Sequence, residues 1–164
     1  MAFMAGKKIL IVGLASDRSI AWGIAQAMRR EGAELAFSYQ NDRLRDRVVE
    51  LAGQLDSDLT MPLDVGSDAE IAAAFESLRR EWGVLDGIVH SVAFAPREAL
   101  AGSFVDSTSR EAFNTAHEIS SYSLTALARG ALPLMEGRQG SLLTLSYLGA
   151  VRSIPSYNVM GLAK

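Results

Sequence analysis

The sequence predicts an α/β fold, a doubly wound parallel sheet in a single domain spanning residues 1–164, on three observations. Short, near-continuous apolar runs alternate with longer segments of helical periodicity, the pattern of strands buried on both faces. The first apolar run, Lys8 to Val12, feeds directly into Gly13 and a strand-to-helix turn. No internal repeat, low-complexity stretch or linker interrupts the alternation, so one layer system accounts for the chain.

Lys8 to Val12 reads as the buried first strand. Ser19 to Glu31 reads as a helix with Ile20, Ile24, Ala27 and Met28 on its inward stripe, closed by Gly32. Glu34 to Tyr39 is a second strand, and Asp42 to Gln54 a charged amphipathic helix with Leu44, Val48 and Leu51 inward. Leu59 to Leu63 gives a third strand, about Ser67 to Trp82 a helix, and Gly87 to Ser91 a fourth strand. A loop rich in Ala, Pro and Gly leads to a long helix, roughly Thr108 to Leu132, stopped around Pro133. Ser141 to Ser146 is a fifth strand. A last helix, carrying Tyr157, begins after Pro155-Ser156.

Composition narrows the function. Apolar residues make up 49% and charged residues 21%, as in a soluble globular protein. A net charge of −3 lacks the concentrated basic face that a nucleic acid or a membrane surface would require. Arg43, Arg45 and Arg47 are interleaved with Asp42, Asp46 and Glu50, which reads as a solvated helix face. With no cysteine, disulfides, zinc–thiolate sites and thiol catalysis are all excluded. The N-terminus lacks the order of a signal peptide, and no stretch approaches the ~20 apolar residues of a membrane span. A cytoplasmic protein is expected.

The first strand-to-helix junction, Gly13-Leu14-Ala15-Ser16-Asp17-Arg18-Ser19-Ile20, has the make-up of an anion site. Backbone N–H groups at a helix start attract phosphate, and Gly13 lets the chain pass close to a pyrophosphate. Ala15 stands where a Gly-x-Gly-x-x-Gly fingerprint would have its second glycine. Ser19 can cap the helix, and Gly23 can let it approach the sheet. The second strand ends in Ser38-Tyr39-Gln40-Asn41 without the carboxylate that many NAD sites use for ribose hydroxyls. Arg43 could recruit a 2′-phosphate, which leaves NADPH as the lesser alternative to NADH; a surface ion pair is the favoured role for it. Asp64-Val65 ends the third strand on the edge where parallel sheets bind ligands, and the aspartate could also cap its own turn. His90, at the end of the fourth strand, and His117, inside the long helix, read as structural.

The chain closes on Tyr157-Asn158-Val159-Met160-Gly161-Leu162-Ala163-Lys164, with Tyr147 upstream. On a helix, seven residues turn about 700°, leaving Lys164 within about 20° of the Tyr157 face and about 10.5 Å further along. A phenol and an ammonium so aligned can serve one extended ligand, at a reacting carbonyl and a cofactor ribose. Short-chain dehydrogenase/reductases usually space this pair Tyr-x3-Lys. The wider spacing, with Ser146-Tyr147-Leu148-Gly149-Ala150 before it, resembles the divergent branch that holds the NADH-dependent enoyl-acyl carrier protein reductases of bacterial fatty-acid synthesis. The Gly13-to-Gly23 turn and the string Phe113-Asn114-Thr115-Ala116-His117-Glu118-Ile119-Ser120-Ser121-Tyr122-Ser123 are similar to that branch as well.

The resemblance implies NADH-dependent reduction of the trans-2 double bond of a thioester on acyl carrier protein. It implies nucleotide contacts at Gly13, Ser19 and Ile20, with Gln40 near the adenosine. It further implies that Asp64 accepts from the adenine amino group while Val65 packs on the ring, with Val92 at the cofactor and Ala95 at the substrate. Tyr157 would donate to the enolate oxygen, Lys164 would hold the cofactor, and Tyr147 would lie beside the same pocket. No metal is implied. Conventional members place a serine where Tyr147 stands and a relay asparagine in the long helix; that role is not carried to Asn114. Which tyrosine, or a water, gives the final proton stays open, as do a ketoreductase and a non-catalytic dinucleotide sensor. Tyr39 and Tyr122 read as core packing. Phe113, Ala116, Ile119, Tyr122, Leu124 and Leu127 spread over more than one stripe, and the resemblance puts this helix in a subunit contact, so a homotetramer is expected. Family members continue past the position of Lys164 into an acyl-binding lid, so this stretch alone is expected to be inactive.

Overall fold

The computed structural model describes residues 2–164. They fall into two compact units, Met1–Ser91 with Leu127–Thr144, and Val92–Ala126 with Leu145–Lys164.

The first unit holds a five-stranded parallel sheet in the order β3-β2-β1-β4-β5, with β1 Lys8–Val12, β2 Glu34–Tyr39, β3 Thr60–Pro62, β4 Gly87–His90 and β5 Ser141–Thr144. The order reverses between β1 and β4, the switch point at which such sheets leave a crevice beyond their carboxyl ends. β1 is central, and Leu10 and Ile11 on its two faces are wholly buried. Ile9 and Ile11 share one core cluster with α1 (Ile20–Arg30) and α2 (Asp42–Gly53), while α3 (Asp68–Trp82) buries Ile71, Ala74, Phe75 and Leu78.

The inward face of α1 differs from the expected stripe. Ala21, Trp22 and Ala25 are buried and Ile20 is 68% exposed, with Ile24 and Met28 only flanking the core. Two alanines let the helix axis lie close to the sheet, so the contact centres on small residues and apolar bulk is pushed to the flanks. On α2, Val48 and Leu51 are buried and Leu44 packs beside them, as expected.

The last helix of this unit, α6 (Ser123–Met135), begins among the residues of the second. It runs through Pro133 rather than stopping there. A proline near a C-terminal end costs one internal donor, and the last turn is held from outside by the Leu85 N–H, which donates to the Leu134 carbonyl at 2.9 Å. β5 is two residues shorter than expected, and all four of its residues are exposed. The expectation of a sheet covered on both faces therefore fails at this edge, where Leu142 and Leu143 meet solvent.

Asp86, just before β4, ties three segments together. Arg138 Nε and Nη2 each donate to its carboxylate at 2.9 Å, Lys7 Nζ donates at 3.2 Å, and the Lys8 N–H at 2.9 Å. Burial pushes this carboxyl up, but the Arg138, Lys8 and Lys7 donors outweigh it and hold the group at about 2.

The second unit is built differently. A 3₁₀ turn at Arg97–Leu100 and α4 (Phe104–Ser107) occupy the stretch expected to be plain loop. The expected single long helix is α5 (Arg110–His117), a π turn at Glu118–Tyr122, and then α6. A 3₁₀ turn at Leu148–Ala150 and α7 (Val159–Ala163) complete the unit. Its core is small: Ala99, Ala112, Ala116, Val159, Met160 and Ala163. Tyr122 is 45% exposed, so its expected place in the core is wrong, whereas Tyr39 packs against the first unit's core.

The Asp86 clamp makes a testable contribution. Asp86→Ala leaves Arg138 partly able to reach water, so a loss near the lower end for a broken buried pair is expected, about 3 kcal/mol by chemical denaturation. The folded carboxyl lies below its unfolded value of 3.8. Its stabilisation is therefore complete above about pH 4 and is lost as pH falls toward about 2, and acid unfolding of Asp86→Ala should lack that increment.

Candidate active site

In the first unit the carboxyl ends of the strands gather the residues expected at the nucleotide. Gly13 follows β1 with φ +96, a conformation open to glycine, so the chain can turn without a Cβ facing the ligand. Ser19 is the N-cap residue of α1, but its hydroxyl does not cap. It donates instead to the Ser16 carbonyl at 2.6 Å, while Ser16 Oγ accepts from the Arg18 N–H at 3.2 Å. The turn is thus braced by its own serines, and no acidic side chain in the first turn of α1 opposes an anion. Ile20 stands exposed beside it.

Gln40 and Asp64 meet: the Gln40 amide donates to Asp64 Oδ2 at 3.4 Å. The other carboxylate oxygen, Oδ1, accepts from the Gly66 N–H at 2.9 Å, and the Asp64 N–H donates to Glu70 at 2.8 Å. Asp64 therefore closes its own turn and presents one oxygen on the ligand edge. Val65 is 8% exposed, leaving little of its side chain for a ring. Arg47 pairs with Asp17 at 3.1 Å and Glu50 at 3.2 Å, an exposed ion-pair arrangement of the kind expected along this helix. His90 is fully buried with Nδ1 2.9 Å from Thr144 Oγ1, across the β4–β5 ladder.

In the second unit the backbone of residues 92–94 is gripped by side chains. Lys164 Nζ donates to the Val92 carbonyl at 3.1 Å. Ser120 Oγ accepts from the Phe94 N–H at 2.9 Å and donates to the Phe94 carbonyl at 3.1 Å, with Met160 Sδ 3.8 Å away. Ser120 lies in the π turn, a feature frequent at functional sites. Ala95 packs against the same small core. Burial lowers the Lys164 ammonium from its ordinary value.

The Tyr157 ring lies against Tyr147, with centroids 4.1 Å apart and planes inclined by 41°. Burial first, and the neighbouring Tyr147 phenol second, raise the Tyr157 hydroxyl, which keeps it protonated as a donor. Tyr157 and Lys164 do not share the one helix face expected of them. α7 begins at Val159, and Tyr157 sits in a turn before it, flanked by Ser156 at φ +61 and Asn158 at φ +38. Close approach makes room for this turn: a Cβ on Gly149 would lie 2.6 Å from Tyr157 Cδ1, and one on Gly161 would lie 2.7 Å from the Gly149 carbonyl oxygen. A cleft of about 370 Å³ opens beside the pair, lined by Phe104, Gly149, Arg152, Ile154, Tyr157 and Leu162 among others.

Sequence reasoning missed Ser120, Asn158 and Met160. Ser120 stood in a string already noted, but a π turn leaves no periodicity signal. Met160 lies four residues before Lys164, a spacing that was visible. His117 stacks on Phe113 with centroids 3.9 Å apart and Nδ1 2.8 Å from the Phe113 carbonyl, the structural role expected of it. Among the described residues, no group of three or more His, Asp or Glu side chains could hold a metal ion, and no helix is long and apolar enough to cross a membrane.

A parallel sheet with this switch point, its glycine-started turn and a Tyr–Lys segment after β5 define a Rossmann-like protein of the short-chain dehydrogenase/reductase type. More narrowly, the chain belongs to the enoyl-(acyl carrier protein) reductase family, whose model matches residues 13–164. It is 61% identical to the enoyl-[acyl-carrier-protein] reductase [NADH] of Neisseria meningitidis serogroup B, matching all of this chain and 63% of that protein. It is 55% identical to the corresponding Escherichia coli K12 enzyme, again over its whole length and 62% of the relative. The chain thus spans less than two thirds of the length of these relatives. Among solved structures, the Aquifex aeolicus VF5 enzyme superposes with a TM-score of 0.96 at 52% identity, covering 98% of this chain and 64% of that one. The reductase of Anaplasma phagocytophilum in complex with NAD gives 0.94 at 47% identity, covering 98% and 61%.

The packing at Gly161 yields a prediction. In Gly161→Ala the new methyl meets backbone, which cannot rotate away, so α7 must shift from the Gly149 turn. Overpacking of this kind costs about 1–3 kcal/mol, and a lowered melting temperature checks it.

Proposed function

We propose that the full-length protein is a cytoplasmic enoyl-acyl carrier protein reductase that uses NADH to saturate the trans-2 double bond of an acyl thioester. The observation that carries this reading is the half-buried Lys164 ammonium on the Val92 carbonyl, in the same unit as the raised Tyr157 phenol against Tyr147. The names of the Neisseria and Escherichia relatives support the substrate and the cofactor.

The residues present suit a dinucleotide. Gly13 at φ +96 leaves its turn free of a Cβ, and Asp64 keeps an oxygen beside Gln40 for an amino group. NADH is favoured over NADPH by the names of the Neisseria and Escherichia relatives. Bound NADH would supply the hydride. Tyr157 would donate a hydrogen bond to the thioester oxygen as negative charge develops there, and the protonated phenol suits that role at neutral pH. Tyr147 would fix the Tyr157 ring by contact. Lys164 would hold the cofactor ribose, and its desolvated charge makes each of its hydrogen bonds stronger than in water. Val92 and Ala95 would face cofactor and acyl chain.

A homotetramer is part of the proposal. Phe113 is 39% exposed and Tyr122 45%, on the stretch of α5 and the π turn that carries the second apolar side. A second copy of the chain would cover them.

The test is the full-length protein with crotonyl thioester and NADH, followed at the nicotinamide absorbance. Turnover is expected, with Tyr157→Phe slower by on the order of 10²–10³, the usual cost of one oxyanion donor. Lys164→Ala should chiefly weaken NADH binding. No turnover with either nicotinamide cofactor would refute the assignment.

A further inference from the structure

Residues 157–160 form a tight turn in which the Met160 N–H donates to the Tyr157 carbonyl at 2.9 Å. Asn158, at its second position, has φ +38 and ψ −122, close to the first central residue of a type II′ turn. That position is dominated by glycine, because a Cβ is strained there. This chain has asparagine instead, and the side chain is occupied. Its amide Nδ2 donates to Ser107 Oγ at 3.0 Å and to the Gly102 carbonyl at 3.4 Å, both in the segment around α4. On the other side of the tyrosine, Ser156 is also at positive φ.

We propose that Asn158 is a positioning residue for Tyr157: its anchored amide holds the strained turn that seats the phenol ring on Tyr147. The inference rests on the reading of Tyr157 as the oxyanion donor. Glycine would make the turn with less strain but would remove the two hydrogen bonds that tie it to Gly102 and Ser107. Strain is retained at functional sites where surrounding contacts over-determine the conformation, and the two amide bonds supply that constraint. Tyr157 packs against the small core of the unit, and its ring has two further neighbours. It meets Tyr147 on one side and the bare backbone of Gly149 on another. A phenol displaced by a fraction of an ångström loses its alignment with a developing charge, so the anchor should matter to turnover and not to cofactor affinity.

The experiment is a double-mutant cycle on the full-length protein with crotonyl thioester and NADH. Asn158→Gly keeps the backbone conformation accessible and removes the anchor; Asn158→Asp keeps a residue tolerant of positive φ and removes the amide donors. Each should lower kcat about tenfold while the KM for NADH stays within about twofold. In a Tyr157→Phe background, Asn158→Gly should cause no further loss, because the group it positions is gone. An equal drop in both backgrounds, or an unchanged kcat in Asn158→Gly and Asn158→Asp, overturns the inference. A Tyr157→Phe enzyme near the parent rate removes the donor assignment and this inference with it, and that arm is read separately from the Asn158 arms.

Discussion

The hydrogen bond from the Lys164 ammonium to the Val92 carbonyl, 3.1 Å long, sets much of what the second unit can be. An ammonium partly withdrawn from water gains from a hydrogen-bond partner, and burial lowers this one from its ordinary value. The carbonyl of Val92 is free to serve because its segment has just left β4 and no longer belongs to the ladder. The return interaction comes through Ser146, whose hydroxyl donates to the Lys164 carbonyl at 3.0 Å. With Ser120 holding both polar groups of Phe94, a stretch without secondary structure acquires fixed backbone geometry from side chains alone.

The two units solve the folding problem by different means. The first relies on area: central strands buried on both faces, closed by helices whose small residues let them approach. Its buried carboxylate, Asp86, is satisfied by an arginine fork, a lysine and a backbone N–H. The second unit has mostly alanines at its centre and little apolar area to gain. Caps by Ser103 and Ser109, the Ser120 bridge and the Asn158 anchor do the ordering there. Polar bonds of this kind specify geometry more than they add stability, which suits residues that must meet a reacting atom.

Legibility in the sequence follows the same division. The strands and α1 to α3 were readable to within a residue or two because hydrophobic periodicity is the direct trace of burial. Misreadings occurred where burial is not the controlling term. Ile20 faces out because Ala21 and Ala25 allow closer contact than a branched side chain. α6 passes Pro133, and its last turn is held from outside by the Leu85 N–H. The break at Glu118–Tyr122 and the start of α7 after Tyr157 depend on side-chain bonds to residues distant in sequence, to Phe94 and to Ser107. The identities Tyr147, Tyr157 and Lys164 were visible; the turn that presents Tyr157 was not, since Asn158 does not announce a positive φ as glycine would.

In the reaction proposed for the full-length protein, hydride would go to the carbon β to a thioester carbonyl. Reduction of a trans-2-enoyl thioester with NADH carrying deuterium at the transferred position of the nicotinamide, followed by mass and NMR analysis of the product, reads this directly. The expected product is a saturated thioester with one deuterium on the β-carbon and a solvent proton on the α-carbon. A saturated product without deuterium at the β-carbon, or label found only on the hydroxyl-bearing carbon of a reduced keto substrate offered alongside, would contradict it.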